Sequence, residues 1–222
     1  MSSNPVIAVD GTSGSGKSST SRGVAVRLGL RYLDTGAQFR AMTWWMLRHG
    51  VDVQDARAVA TRVGEPEIVS GTDPLGPTIT VDGEDVSVEI RQDDVNAAVS
   101  PVSAVPEVRS RLLDLQRAVI ADGGIVVEGR DIGSVVAPDA DVKVYLTADP
   151  LARAERRSAE EGGSDLAATR ESLLNRDRID AGRATAPLVM ADGAVHIDTT
   201  PFTLDEVIDQ VVALVATAEE PA

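Results

Sequence analysis

The stretch Gly11-Thr12-Ser13-Gly14-Ser15-Gly16-Lys17-Ser18 constrains this chain more than any other, because it fits the pattern G-x-x-x-x-G-K-[ST] in full. An apolar run, Pro5 to Val9 closed by Asp10, precedes it. Behind it, Ser18 to Leu28 carries Val24, Ala25 and Leu28 at helical spacing. The order predicted is therefore a buried parallel strand, a glycine-rich turn and a helix. Glycines let successive backbone N–H groups turn toward one point and form an anion nest. The helix that follows adds the positive end of its dipole. Lys17 brings a mobile cation for the β- and γ-phosphates of a nucleoside triphosphate, and the Ser18 hydroxyl is the candidate Mg²⁺ ligand. The triphosphate-binding set runs from Gly11 through Ser18 to Ser19.

The loop alone does not name a reaction, because kinases, GTPases and motor ATPases share it. An Asn-Lys-x-Asp base-reading motif and a Leu-Ser-Gly-Gly signature are both absent from the chain. Its 222 residues suit one main domain with an insertion. A net charge of −14 argues against the basic stripe of a nucleic-acid binder, so no nucleic-acid partner is expected. The same acidity means that a site for an anionic substrate must gather its arginines locally. With no cysteine and only His49 and His196, thiolate chemistry is excluded and a histidine metal cluster is not expected. No stretch is long and apolar enough to span a membrane, and the N-terminus lacks a leader pattern. A cytoplasmic monomer is expected.

Strand and helix patterns alternate along most of the chain. Arg31 to Leu33 reads as a strand and Gly36 to His49 as a helix with Phe39, Met42, Trp45 and Met46 on one stripe. Trp44 and Trp45 are read as packing residues rather than base-stacking platforms. Three short β-like runs then follow, Glu67–Ser70, Thr78–Val81 and Asp85–Ser87, the last two joined by the hairpin signal Asp82-Gly83. Pro106 to Ala121 is an amphipathic helix with Val108, Leu112, Leu115 and Val119 inward. Ile125–Val127, Val142–Leu146 and Val195–Asp198 read as strands. Asp149 caps a helix rich in Arg and Glu, which Gly162-Gly163 interrupts and which resumes to about Asp180. Alternating charge there, including Arg153, Arg156 and Arg157, reads as a solvated face. Leu204 to Ala216 closes the chain as a helix with Val207, Ile208, Val211 and Val215 inward. The fold class is α/β, in three layers around a parallel sheet, with an inserted antiparallel lobe.

Transfer of a phosphoryl group to an anionic acceptor needs a second set of cations, and arginine forks supply fixed geometry. Five contexts stand out: Asp34-Thr-Gly-Ala-Gln-Phe-Arg40, Val108-Arg109, Glu128-Gly-Arg130-Asp131, Arg176-Asp-Arg178-Ile-Asp180, and Arg183 before Ala186-Pro187-Leu188. With Val86-Ser-x-x-Ile90-Arg91, these run in an order that resembles the bacterial cytidylate kinases, within the nucleoside monophosphate kinase group of P-loop kinases. The resemblance covers Val6 to about Thr200. It implies a P-loop kinase core over residues 1–34, 101–150 and 187–222. It also implies an acceptor region over 35–100, with the insertion at about 65–88, and a short helical lid over 151–186.

The resemblance further implies roles for matching positions. Arg40 and Arg130 would grip the acceptor phosphate. Thr35, Arg109 and Asp131 would read the cytosine edge, while Ser100, Arg176 and Asp180 would face the ribose. Arg183 would bridge donor and acceptor phosphates, so that Lys17, Arg130 and Arg183 form the catalytic set. The partners implied are ATP with Mg²⁺ and CMP or dCMP. Independently, Asp131 can accept a hydrogen bond from an exocyclic amine, which uracil lacks. No apolar strand reads as ending in a second Mg²⁺-binding carboxylate, so waters and phosphates are expected to fill the metal's shell. A nucleotide-dependent switch without transfer chemistry is the rival of another class, and the second arginine set weighs against it.

Overall fold

In the computed structural model, residues 4–160, 162–183 and 186–219 are described. In chain order the elements begin β1 (Val6–Gly11), α1 (Lys17–Leu28), β2 (Arg31–Asp34), α2 (Thr35–Arg48) and α3 (Ala56–Arg62). They continue with β3 (Ile68–Ser70), β4 (Ile79–Val81), β5 (Glu84–Asp85), α4 (Asp93–Ala104) and α5 (Pro106–Ile120). The last are β6 (Ile125–Glu128), β7 (Val142–Thr147), α6 (Pro150–Glu160), α7 (Leu166–Ala181), β8 (Val195–Asp198) and α8 (Leu204–Glu219). The chain divides into two compact units, Met1–Arg31 with Gly123–Ala222, and Tyr32–Asp122.

The first unit is built on β1. A five-stranded sheet has the order β2-β6-β1-β7-β8, so β1 is its middle strand. β1 runs parallel to β6 and to β7, and β7 parallel to β8. Ile7, Ala8 and Val9 of β1 and Ile125, Val126 and Val127 of β6 are fully buried, as strands covered on both faces require. α1 and α8 pack closely because residue 23 is glycine: a Cβ there would strike the Ile208 side chain. α8 turns Val207, Ile208, Val211 and Val215 inward, the same four that helical spacing selects.

The second unit has its own core, in which Met42, Trp45 and Met46 of α2 meet Ile79, Val102, Val108 and Leu112. Both tryptophans are buried and serve packing. Asp34 caps α2 by accepting the Ala37 N–H at 3.0 Å. The antiparallel lobe has strand order β3-β4-β5. Asp82 and Gly83 both take positive φ, 51° and 83°, which the two-residue hairpin between β4 and β5 demands. β5 is shorter than read and lies at Glu84–Asp85. Two helices escaped the sequence reading. α3 is a short helix capped by Asp55. α4 buries Val95, Ala98, Val99 and Val102 at helical spacing, although it contains Pro101. Among the described residues no helix is long and apolar enough to cross a membrane.

Candidate functional site

The glycine-rich loop joins β1 to α1, as its flanking patterns require. Gly14 and Gly16 take φ of 75° and 86°, conformations that side-chain-bearing residues rarely adopt. A Cβ on Gly11 would run into the Leu146 carbonyl of the neighbouring β7. The loop's backbone is braced from several directions. Thr12 N–H donates to Leu146 O at 3.2 Å, and Thr20 N–H to Gly16 O at 2.9 Å. The Thr199 hydroxyl, just beyond β8, donates to Ser15 O at 3.1 Å. Arg156 holds Thr199 in turn, through its hydroxyl and its carbonyl, both at 2.9 Å.

Two further groups grip Ser13. Its N–H donates to Asp177 of α7 at 2.9 Å, and its carbonyl accepts from Arg153 of α6 at 2.9 Å. Arg153 and Asp177 are also ion-paired with each other. The solvated face expected at Arg153 is therefore a correction: the side chain is 4% exposed, because the loop carbonyl and a carboxylate satisfy its charge. The Thr12 and Ser15 hydroxyls are buried without a hydrogen-bond partner among the described residues.

Lys17 folds back in this state and donates to Thr12 O at 2.6 Å. Burial and the nearby Arg130 cation pull it down to about 7, against the opposing pull of Glu128, Asp177 and Asp10. Ser18 is exposed at the start of α1, a hydroxyl of the hard-oxygen type that Mg²⁺ takes. The sequence reading named no second Mg²⁺-binding carboxylate at the end of an apolar strand. β6 runs one residue further than its apolar pattern and ends in Glu128, 3% exposed and in register with Val9 of β1. Glu128 thus offers a second hard oxygen donor beside the loop, one that sequence reasoning assigned to the following Gly-Arg-Asp turn. No group of three or more His, Cys, Asp or Glu able to hold a metal occurs among the described residues.

The second cation set of this unit centres on Asp180 of α7. Arg130 Nε donates to one oxygen of Asp180 at 2.8 Å, and Arg183 is ion-paired with the other. Burial alone would raise the Asp180 carboxyl, but Arg130, Arg183 and Arg176 hold it below the ordinary carboxylate range. Burial and the cations of Arg130 and Arg157 lower Arg176. Arg130 Nη1 also donates to Gly11 O at 2.9 Å, so an arginine outside the phosphate loop is tied to the loop's first residue. Asp131 is 6% exposed. Four of the residues read from sequence, Arg130, Arg176, Asp180 and Arg183, thus share one cluster.

In the second unit, Arg40 Nη1 donates to Asn96 Oδ1 at 2.6 Å and to Ile90 O at 3.2 Å. Arg109 is 8% exposed, with its guanidinium 5.2 Å from the Phe39 ring centre. It donates to Ser103 O at 3.3 Å, and the Ser103 hydroxyl donates to Ser100 O at 3.0 Å. Ser100 therefore lies one hydrogen bond from the residue that anchors Arg109. Thr35 opens α2 and is 4% exposed.

A sequence model of the family described as Cytidylate kinase matches residues 7–217. A cytidylate kinase of Streptomyces griseus is 61% identical over 215 residues, covering 96% of this chain and 93% of the relative. Another, of Nocardia farcinica, is 54% identical and covers 95% of this chain and 93% of its own. Among solved structures, a gluconokinase of Sinorhizobium meliloti superposes with a TM-score of 0.51 at 17% identity, covering 97% of this chain and 94% of its own. A shikimate kinase of Acinetobacter baumannii gives 0.50 at 13% identity, covering 99% and 97%. These two likenesses concern the fold.

Proposed function

The chain belongs to the cytidylate kinase family, and from that premise we infer how its residues carry out the reaction. It transfers the γ-phosphoryl group of ATP to CMP and dCMP, giving ADP with CDP or dCDP. The observation that carries the residue-level reading is the bond from Arg130 to Gly11 O. It joins a phosphate-binding loop to a cluster of arginines in the same unit, the pairing that transfer between two phosphates requires.

The donor side is assigned to Gly11 through Ser19, with Lys17 neutralising charge on the transferring phosphoryl group. In the first unit, Arg130 is assigned to the acceptor phosphate, Arg183 to a bridge between donor and acceptor phosphates, Asp131 to the base, and Arg176 and Asp180 to the ribose. In the second unit, Arg40 is assigned to the acceptor phosphate, Thr35 and Arg109 to the base, and Ser100 to the ribose. No general base is needed, because a phosphate monoester with a second pKa of about 6 is largely dianionic at neutral pH. Catalysis is then alignment and charge neutralisation. Ser18 and Glu128 would hold Mg²⁺, directly or through water, and the ion would neutralise β- and γ-phosphate oxygens. Residues 151–186 are assigned to a lid that excludes water, a competing acceptor. We place the enzyme in the cytoplasm as a monomer, and its −14 net charge argues against a nucleic-acid partner.

A coupled ADP-release assay with CMP, dCMP, UMP and AMP tests the acceptor assignment. Turnover with CMP and dCMP well above UMP and AMP is expected. Turnover independent of any nucleoside monophosphate would overturn it.

A further inference from the structure

The penultimate residue of β1 is a carboxylate that the chemistry above does not use. Asp10 is 3% exposed, and each of its oxygens accepts one backbone N–H. Oδ1 takes that of Ile132 and Oδ2 that of Gly133, both at 2.8 Å. These amides begin a single π-helical turn, Ile132–Val136, and the leading N–H groups of any helical turn lack an acceptor within it. Ile132 and Gly133 are themselves buried, so water does not stand in for the missing acceptor.

The turn directly follows Arg130 and Asp131. Just upstream of them, Gly129 N–H donates to Val9 O at 3.0 Å. Val9 and Asp10, neighbours on β1, therefore pin both ends of the segment 129–133, and Arg130 and Asp131 sit between the pins. We propose that Asp10 is a positioning residue that caps this turn and so aims Arg130 and Asp131 at the acceptor nucleotide. The proposal rests on the assignment of those two residues to the acceptor.

The side-chain type supports this role. Two parallel donors need two acceptor atoms, and only a carboxylate offers both; an asparagine would turn its NH₂ against one of the N–H groups. The charge is kept at a cost. Burial raises Asp10 to about 6, with Asp131 adding to the rise, while the Gly133 and Ile132 amides and Lys17 oppose it. A carboxylate retained in such surroundings is there for the bonds it makes.

Asp10→Asn is the direct test, read by steady-state kinetics with each substrate varied and by calorimetric binding of ATP and of CMP. We expect kcat/KM for CMP to fall by about 100-fold, the scale of a small misplacement of a catalytic group, with ATP affinity within about threefold of wild type. Combined with Arg130→Lys, the two losses should fall well short of multiplying, because both act through one guanidinium. Equal losses of ATP and CMP affinity, or losses that multiply, would make Asp10 a residue of the fold only and overturn the proposal. Should Asp10→Asn not fold, Asp10→Glu keeps the charge and is measured alike: a CMP-selective loss supports the proposal and a loss shared by both nucleotides overturns it. Arg130→Ala separates the two levels. Normal turnover there would sink the acceptor assignment itself, whereas crippled turnover there beside a normal Asp10→Asn enzyme would sink only the role of Asp10.

Discussion

The candidate-site arginines of the two units show different described contacts. In the first, Arg130 and Arg183 share Asp180, and Arg153 is paired with Asp177, both carboxylates standing one turn apart on α7. In the second, the contacts of Arg40 include a carbonyl and an amide oxygen, and those of Arg109 a carbonyl and an aromatic face. A carboxylate orients a guanidinium and also cancels its charge, while a carbonyl or a ring face orients it and leaves the charge in place. In the first unit, α7 thus carries both carboxylates that orient these arginines.

Removing a cation from the first unit should have the largest effect. Lys17→Met should lower kcat by about 10³-fold, because one preorganised charge on the transferring group is lost; stopped-flow or coupled assays at saturating ATP read this. Next comes the shared carboxylate. Asp180→Asn takes from the part-buried Arg130 and Arg183 the anion they share, and should cost about 3 kcal/mol of stability by denaturant titration. Because its folded pKa is depressed, the Asp180 contribution is present above the unfolded carboxylate range and is lost as pH falls through the folded value. The Asn variant should therefore show a smaller loss of stability on acidification than wild type. If acid destabilises both equally, the shared-carboxylate account of the first unit is wrong.

A smaller effect concerns protons. Lys17 sits at about 7 in the free protein, so it is largely neutral at about pH 8. A bound triphosphate favours the charged form, and binding there should take up most of one proton. ATP affinity should fall as pH rises above 7. Calorimetry in buffers of different ionisation enthalpy reads the uptake, and heats independent of buffer would contradict it. The smallest effect is expected in the second unit. Arg109→Lys loses the planar contact with Phe39 and one fork of donors, for about 1 kcal/mol in CMP binding and no change in ATP binding.

The same contrast governs what the sequence disclosed. The phosphate loop is contiguous, and its glycines, lysine and flanking patterns are local properties, so the strand, turn and helix over residues 5–28 were legible. Strands buried on both faces and the four inward residues of α8 were legible for the same reason. α4 was not, because Pro101 and a mixed run of Asn, Ser and Ala mask a helix that buried Val95, Val99 and Val102 sustain by tertiary packing. Glu128 was read in the turn after its strand, because the strand outruns the apolar residues by one position, and the pairing with Val9 puts it at the strand's end. Asp10 carried a visible signal, a lone acid closing an apolar strand before a glycine loop, but its partners lie more than 120 residues away. Asp177 and Arg153 are of the same kind, side chains whose meaning comes from the loop they meet.

The claim that an arginine cluster in the first unit serves the acceptor while the loop serves the donor is tested most directly by Arg130→Ala. Steady-state turnover with CMP should fall by about 10³-fold, the scale of a lost arginine at a transferring phosphoryl group, while the calorimetric affinity for ATP stays close to wild type. Near-normal turnover with CMP, or a loss of ATP affinity as large as the loss of turnover, would contradict it.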